Sequence, residues 1–212
     1  NVKLPNQLET LGYHAFGNCA SLTQIEIPKS LKYTPCSSGY DYGPFNGSGL
    51  KTVTFEYGTS EIPSSLFYHA TNLQNIVFVD TITNINGGAT YAGAFYGCTS
   101  LKTVSLPDSI TSIGERAFYG CSNLESIKIP SKLQDISSGA FYNCKKLKDI
   151  VLPETVTAIR KNAFYGCASL PSINLPDGLQ TIEDNAFYEC KALTDITIPK
   201  NVTSIGSKVF YN

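Results

Sequence analysis

The chain has 212 residues, a formal net charge of −1 and 42% hydrophobic residues, enough to bury a continuous ribbon of side chains. Binding to nucleic acid or to an anionic membrane surface requires a basic patch, and the sequence contains no run of like charge. The longest apolar run covers residues 76–79, far fewer than the roughly 20 that span a bilayer. The composition therefore predicts neither nucleic-acid binding nor membrane insertion.

A motif of the form Ala-Phe-Tyr-x-Cys recurs at a constant spacing. Its copies occupy residues 94–98, 117–121, 140–144, 163–167 and 186–190. A fixed period of about 23 residues is typical of a solenoid, in which each turn is one small supersecondary unit. The units that contain the motif read L-x-x-[IV]-x-[LI]-P-x-x-[LVI]-x-x-I-x-x-x-A-F-Y-x-C, and looser copies precede them. We count about nine units, the first and last incomplete.

The sequence of each unit predicts three short secondary-structure elements. The alternating apolar residues Val104 and Leu106 indicate a strand with one buried face, and Pro107 ends it. Ile110 and Ile113 lie in a second short extended stretch, and the Ala-Phe-Tyr segment fits a single helical turn. Stacked units would place the strands in one parallel ladder about 4.8 Å apart. The fold class is thus a mainly β repeat solenoid with an internal spine of phenylalanines.

The repeats are irregular over 22–100 and regular over 101–212, and we expect residues 1–212 to form a single solenoid domain. Both ends of the chain fall inside a repeat, and neither looks like the atypical repeat that normally caps a solenoid. We therefore expect this chain to be a fragment of a longer protein.

Two of the early units contain insertions just before the phenylalanine, at 35–44 and 86–93. Insertions at one offset emerge on one side of a solenoid, often the binding side. Tolerated loops without a function are an equally open reading. The candidate binding residues here are Tyr40, Asp41, Tyr42 and Tyr91, together with Tyr33 just upstream of the first insertion.

The residues between the apolar strand positions define a second candidate surface. They are small, polar and mixed in charge, and they lack the aromatic or arginine anchors that usually dominate tight interfaces. A broad, weak or multivalent contact fits them better. The candidates are Thr103, Ser105, Lys128, Asp149, Asn174 and Asp195.

The cysteines do not predict a metal site, because no C-x-x-C pair exists and His14 and His69 are the only histidines. The motif cysteines would stack with parallel Cβ vectors, so we expect free buried thiols rather than disulfides. Ser48 and Ala70 replace cysteine in two units, as a packing role permits. Cys36, in an insertion, is either an exposed reactive thiol or an incidental one. No cofactor is expected.

The tyrosine that follows each core phenylalanine has two readings. It lies about 100° around from the core in a helical turn, so the tyrosines should form an outer stripe. Such a stripe is either a binding surface or a row of partly buried rings that covers the convex edge. We favour the second reading, because a feature of every unit is usually scaffold.

The strand segment 101–106 and the motif with Pro107, Ala117, Phe118 and Cys121 resemble the BspA-like class of leucine-rich repeats. One departure from commoner leucine-rich repeats is Ser109, which stands where asparagine or cysteine is expected, so the asparagine ladder of those classes is absent. The resemblance implies a curved solenoid with its strands on the concave side. It also implies bacterial secreted or cell-surface proteins, some of them adhesins, and no enzyme activity.

Two functions remain open. The first is a non-catalytic binding or adhesion module that presents the polar strand face and both insertions to a protein or glycan, with host matrix proteins among the candidates. The alternative is a structural spacer that holds another domain away from the cell surface. No G-x-S-x-G, P-loop or H-E-x-x-H motif suggests an enzyme. We expect a monomer.

Overall fold

A computed structural model describes residues 2–32, 34, 43–88 and 93–212. It is a parallel β-solenoid of about seven turns, here called coils. The sequence count of nine units exceeds this number because the first and last units are incomplete. The strands of the described residues are β1 (Gln24–Ile27), β2 (Thr52–Phe55), β3 (Glu61–Ile62), β4 (Asn75–Val77), β5 (Asn84–Ile85), β6 (Thr103–Ser105), β7 (Ser112–Ile113), β8 (Ser126–Lys128), β9 (Asp135–Ile136), β10 (Asp149–Val151), β11 (Ala158–Ile159), β12 (Thr181–Ile182) and β13 (Ser204–Ile205).

The longer strands form a front ladder whose buried and exposed residues alternate as the sequence predicts. In β6, Val104 is buried while Thr103 and Ser105 face outward. The prediction of one continuous ladder is wrong, because the described strands form two parallel sheets, β1-β2-β4 and β6-β8-β10. Beyond β10, Ser172 and Asp195 form an isolated parallel bridge that joins neither sheet.

The break between β4 and β6 coincides with the boundary at residue 101 between irregular and regular repeats. The length of the coil does not explain the break. The coil from Leu22 to Leu50, between β1 and β2, is as long as the coil from Leu73 to Leu101, between β4 and β6. Across the first of these coils β1 pairs with β2 in full register, whereas β4 and β6 do not pair.

A second ladder of two-residue strands lies after the longer strands in the chain, in sheets β3-β5-β7 and β13-β12-β11-β9. Hydroxyl groups two positions after the proline join neighbouring coils beside it. Ser109 Oγ donates to the carbonyl oxygen of Ile82 at 2.6 Å, and Thr155 Oγ1 donates to that of Leu133 at 2.6 Å. A hydroxyl thus supplies a hydrogen bond between coils at the position where other classes use asparagine.

The predicted helical turn is wrong, because the described residues contain no helix. The segment instead folds into tight turns. The N–H of Tyr119 donates to the carbonyl of Arg116 at 3.0 Å, whereas the N–H of Phe118 donates to Ala140 of the next coil at 2.9 Å. Because alternate N–H groups bond to the neighbouring coil, they do not form the bonds to residue i−4 that define an α-helix.

Residues with positive φ lie on both sides of the phenylalanine and explain why the helix cannot form. The position after the tyrosine has a φ of 69° at Gly120 and 55° at Asn143, which confirms the predicted left-handed exit. Glu189 adopts the same conformation, with a φ of 55°. The position two before the phenylalanine is also left-handed, as at Arg116 and Lys208 with φ of 55° and 54°.

The phenylalanine spine is confirmed. Successive rings from Phe16 to Phe210 stack with centroids 5.2–5.8 Å apart. The rings from Phe45 to Phe187 are fully buried, whereas Phe210 is 37% exposed. Aromatic contacts of this kind stabilise the stack beyond the burial of area, so the spine adds to the cohesion between neighbouring coils.

The motif cysteines are free, and those from Cys98 to Cys190 are buried, as predicted. Each thiol donates to the phenylalanine carbonyl of the preceding coil, as Cys121 does to Phe95 at 3.2 Å. Burial raises the pKa of Cys121 to about 12. Cys19, at the start of the row, is exposed, and Cys36 lies outside the described residues.

The tyrosines form a second stack outside the spine. The rings of Tyr96, Tyr119, Tyr142 and Tyr165 are nearly parallel, with centroids 4.4 Å apart. Their faces cover one another and they are half-buried, which is the arrangement expected of rings that cover an edge. Burial, with smaller effects from Tyr119 and Tyr165, raises the pKa of Tyr142 above its ordinary value of 10.0.

Candidate functional site

The outward side chains of the front ladder form two columns along the solenoid. The strand register places Thr103 beside Ser126 and Ser126 beside Asp149 in the first column. It places Ser105 beside Lys128 and Lys128 beside Val151 in the second. Because parallel strands are about 4.8 Å apart, neighbours within a column lie close enough for one ligand to contact several of them.

These columns line an open groove of about 710 Å³ across β6, β8 and β10, which we call the front groove. Its sides continue past the strands to Asp108, Ser131 and Pro153. Buried residues such as Ile127 and Ile129 form its floor. The groove therefore has an apolar base beneath outward hydroxyl and charged groups.

The front groove brings together four of the predicted site residues, Thr103, Ser105, Lys128 and Asp149. The other two candidates of this face lie beyond it. Asn174 and Asp195 belong to the next two coils, where Asp195 is exposed and pairs with Ser172 through the isolated bridge. The candidates Tyr33, Tyr40, Asp41, Tyr42 and Tyr91 lie outside the described residues.

Val151 and Asp108 also line the groove and are not among the predicted candidates. Val151 has 67% of its surface exposed although it is apolar and lies on a strand. Asp108 accepts a charge-assisted hydrogen bond from Lys128, with Oδ1 and Nζ 3.3 Å apart. The strand pattern places Val151 on this face, because it occupies the same unit position as Ser105 and Lys128, but its apolar side chain excluded it from the polar candidates.

The chemistry of the front groove is that of a contact surface. The described residues of its lining contain hydroxyls, two carboxylates and one ammonium group, but no histidine or cysteine. Within the described ranges, no three His, Cys, Asp or Glu side chains are grouped so that they could hold a metal ion. In that same part of the chain, no helix is long and apolar enough to cross a membrane.

The model of the BspA type leucine rich repeat region matches residues 1–92 and 89–212, with six copies. The chain belongs to this family. A search of curated proteins finds no match. The BspA-type leucine-rich repeat is a repeat scaffold, so the chain is a repeat module with a binding or a structural role.

Solved structures with the same fold include bacterial leucine-rich repeat proteins. One from Bacteroides ovatus is 27% identical with a TM-score of 0.80, over 99% of this chain and 54% of that one. One from Eubacterium ventriosum is 23% identical with a TM-score of 0.67, over 100% and 64%. The chain thus spans between half and two thirds of the length of these two proteins.

Proposed function

We propose that the chain is a non-catalytic recognition module that binds a protein or glycan in the front groove. The observation that carries the proposal is the groove itself, in which three successive coils contribute outward polar groups around an exposed valine. Scaffold residues of a repeat recur in every unit. By contrast, the three coils of the groove carry different residues at equivalent positions, and Lys128, Asp149 and Val151 each occur in one of these coils. Residues that differ between coils allow a partner to bind one place on the solenoid in preference to others.

The proposal extends to the rest of the predicted site. Asn174 and Asp195 prolong the surface beyond the groove, and the insertions 35–44 and 86–93 add the tyrosines as further contacts. The resemblance to BspA-like proteins supports a secreted or cell-surface location and makes host matrix proteins candidate partners. One solenoid domain over 1–212 that acts as a monomer is part of the same proposal.

A matched pair of substitutions tests the proposal. Ser126→Arg would fill the front groove, because Ser126 lies on its central strand. Ser112→Arg introduces the same side chain at an exposed position of β7, outside the groove. Both variants would be compared with the parent chain by surface plasmon resonance on immobilised fibronectin, laminin, fibrinogen and collagen, and on a glycan array.

We expect binding by the parent chain and the Ser112→Arg variant, and its loss in the Ser126→Arg variant. Equal binding by all three proteins would overturn the assignment to the front groove. A variant that lacks both insertions is tested separately. If binding is lost in that variant but kept in Ser126→Arg, the contact surface is the insertions and not the groove.

A structural spacer is the second candidate. The unbroken stacks of phenylalanine and tyrosine rings favour it, since close-packed aromatic contacts between neighbouring coils make a stiff rod. A spacer tolerates substitutions in the front groove. If Ser126→Arg left every measured interaction of the intact protein unchanged, the spacer would be the better account.

A further inference from the structure

We infer that the front groove selects a protein segment that presents one basic and one aliphatic side chain on the same face of an extended strand, the basic group against Asp149 and the aliphatic group against Val151. This inference rests on the proposed function and names the partner's chemistry. Four observations carry it: an apolar contact, a charged contact, their spacing and the composition of the lining.

The apolar contact is Val151. It is 67% exposed, and Lys128 is its neighbour in the column. A long lysine side chain normally covers adjacent apolar surface with its methylene groups. Lys128 instead extends to Asp108, which lies in the preceding coil, so its ammonium group points away from Val151. The ion pair therefore leaves the valine uncovered.

The charged contact is Asp149. Among the described residues its carboxylate forms neither an ion pair nor a side-chain hydrogen bond. Its column neighbour Ser126 is short, so the carboxylate stands above it. The only lysine that lines the groove is Lys128, and Asp108 already holds that ammonium group. Asp149 thus has no partner within the groove and complements a cation of the ligand.

The spacing follows from the strand. Asp149 and Val151 are two positions apart in β10, and both face outward. Outward residues i and i+2 of a strand are about 7 Å apart. An extended peptide presents its own residues i and i+2 with the same spacing, so a basic and an aliphatic residue at those positions contact both groups at once.

The lining favours a protein over a glycan. Sugar rings are commonly bound by stacking on aromatic faces, and no aromatic residue of the described part of the chain lines the front groove. In the tyrosine stack, the ring faces from Tyr96 to Tyr165 are covered by one another, with centroids 4.4 Å apart. An exposed β-branched side chain beside a lone carboxylate complements the side chains of a peptide, which combine apolar and cationic groups.

The test is a selection of peptides on the full chain. A phage-displayed library of random peptides is selected on the parent protein after depletion on the Ser126→Arg variant, and the enriched peptides are synthesised. Their affinities are measured by fluorescence anisotropy for the parent and for four variants. Asp149→Asn and Val151→Thr alter the proposed contacts. Asp177→Asn and Val77→Thr are matched controls at exposed positions outside the groove.

We expect the enriched peptides to carry Lys or Arg two positions from Leu, Ile or Val. Loss of a charge-assisted contact should weaken binding about tenfold in Asp149→Asn. Replacement of one methyl group by a hydroxyl should weaken it about fourfold in Val151→Thr. The two controls should stay within about twofold of the parent.

Peptides without a basic residue, or affinities unchanged by Asp149→Asn, would overturn the inference while leaving the proposed function standing. The same applies if a glycan, rather than any peptide, shows binding that Ser126→Arg abolishes. If neither peptides nor glycans distinguish Ser126→Arg from the parent, the proposed function fails together with the inference.

Discussion

Lys128 Nζ lies 3.3 Å from Oδ1 of Asp108, so the lysine is held toward the coil before its own. The coil on the other side contains Asp149 and Val151, which this arrangement leaves accessible. The ion pair itself contributes little to stability, because its side chains are 62% and 68% exposed and pairs so exposed are worth at most about 1 kcal/mol. Its effect is on the orientation of the lysine.

The first prediction follows from this orientation. In an Asp108→Asn variant Lys128 is released and becomes available to Asp149, the free carboxylate of the groove. We expect the affinity for a selected peptide to fall about threefold or more, while the free energy of unfolding changes by less than about 1 kcal/mol. Fluorescence anisotropy and urea denaturation measure the two effects. Unchanged peptide affinity would show that Asp108 does not position Lys128.

The second prediction concerns the phenylalanine spine. Phe141 is fully buried between Phe118 and Phe164, whereas Phe210 is 37% exposed. Phe141→Ala should cost about 3–5 kcal/mol, because it removes a buried ring and leaves a cavity. Phe210→Ala should cost less than half as much, because water already reaches that ring. Urea denaturation of the two variants compares them, and equal costs would contradict the role given to the inner spine.

The third prediction concerns the left-handed position after the tyrosine. Glu189 has a φ of 55°, a conformation that is unfavourable for residues with a Cβ atom. Glu189→Gly should therefore stabilise the chain by about 0.5–1 kcal/mol. Gly120→Ala should destabilise it by about 1–2 kcal/mol. The cause is backbone strain and not a steric clash, because an added Cβ would meet no atom closer than 3.8 Å. Thermal denaturation gives both values, and the opposite signs would refute this explanation.

The fourth prediction is a loss of stability at alkaline pH. Burial raises the pKa of Cys121 and of Cys190 from 9.0 to about 12. The unfolded chain then loses these protons at lower pH than the folded chain. The contribution of these thiols to the free energy of unfolding is fully present below pH 9.0 and is lost as the pH rises toward 12. The raised pKa of Tyr142 acts in the same direction above pH 10.0.

Urea denaturation at a series of alkaline pH values measures this slope. Cys121→Ala removes one of the titrating groups, so the variant should lose less stability between pH 9.0 and pH 12 than the parent chain loses. Its lower stability at neutral pH does not affect the comparison, because the slope is the quantity measured. Parallel pH profiles of the two proteins would show that Cys121 does not titrate differently on folding.

The sequence predicts those parts of the fold in which each unit repeats the same residue. The phenylalanine spine and the buried thiols follow from a single period, because each coil places the same side chain at the same point. The left-handed position two before the phenylalanine was missed for the converse reason. Arg116, Gly139, Asn162 and Lys208 share that conformation but no residue type, and only the backbone bonds to the neighbouring coil reveal it.

The candidate site was predicted only in part for a related reason. Thr103, Ser105, Lys128 and Asp149 could be placed on one face from the strand pattern, and they do line one groove. Asp108 lies after the strand and joins the groove through its bond to Lys128 of the next coil. The separation of these two residues along the chain does not match the period of the repeat, so the pair emerges only when the coils are stacked.

Amide hydrogen exchange with and without a bound partner is the most direct test of the central claim, that the front groove is the recognition surface. The partner is a peptide from the selection or a matrix protein that binds the parent chain. We predict added protection in β6, β8 and β10, and none in β12, β13 or the tyrosine stack. Protection confined to the tyrosine stack or the second ladder, with the groove strands unchanged, would contradict the account.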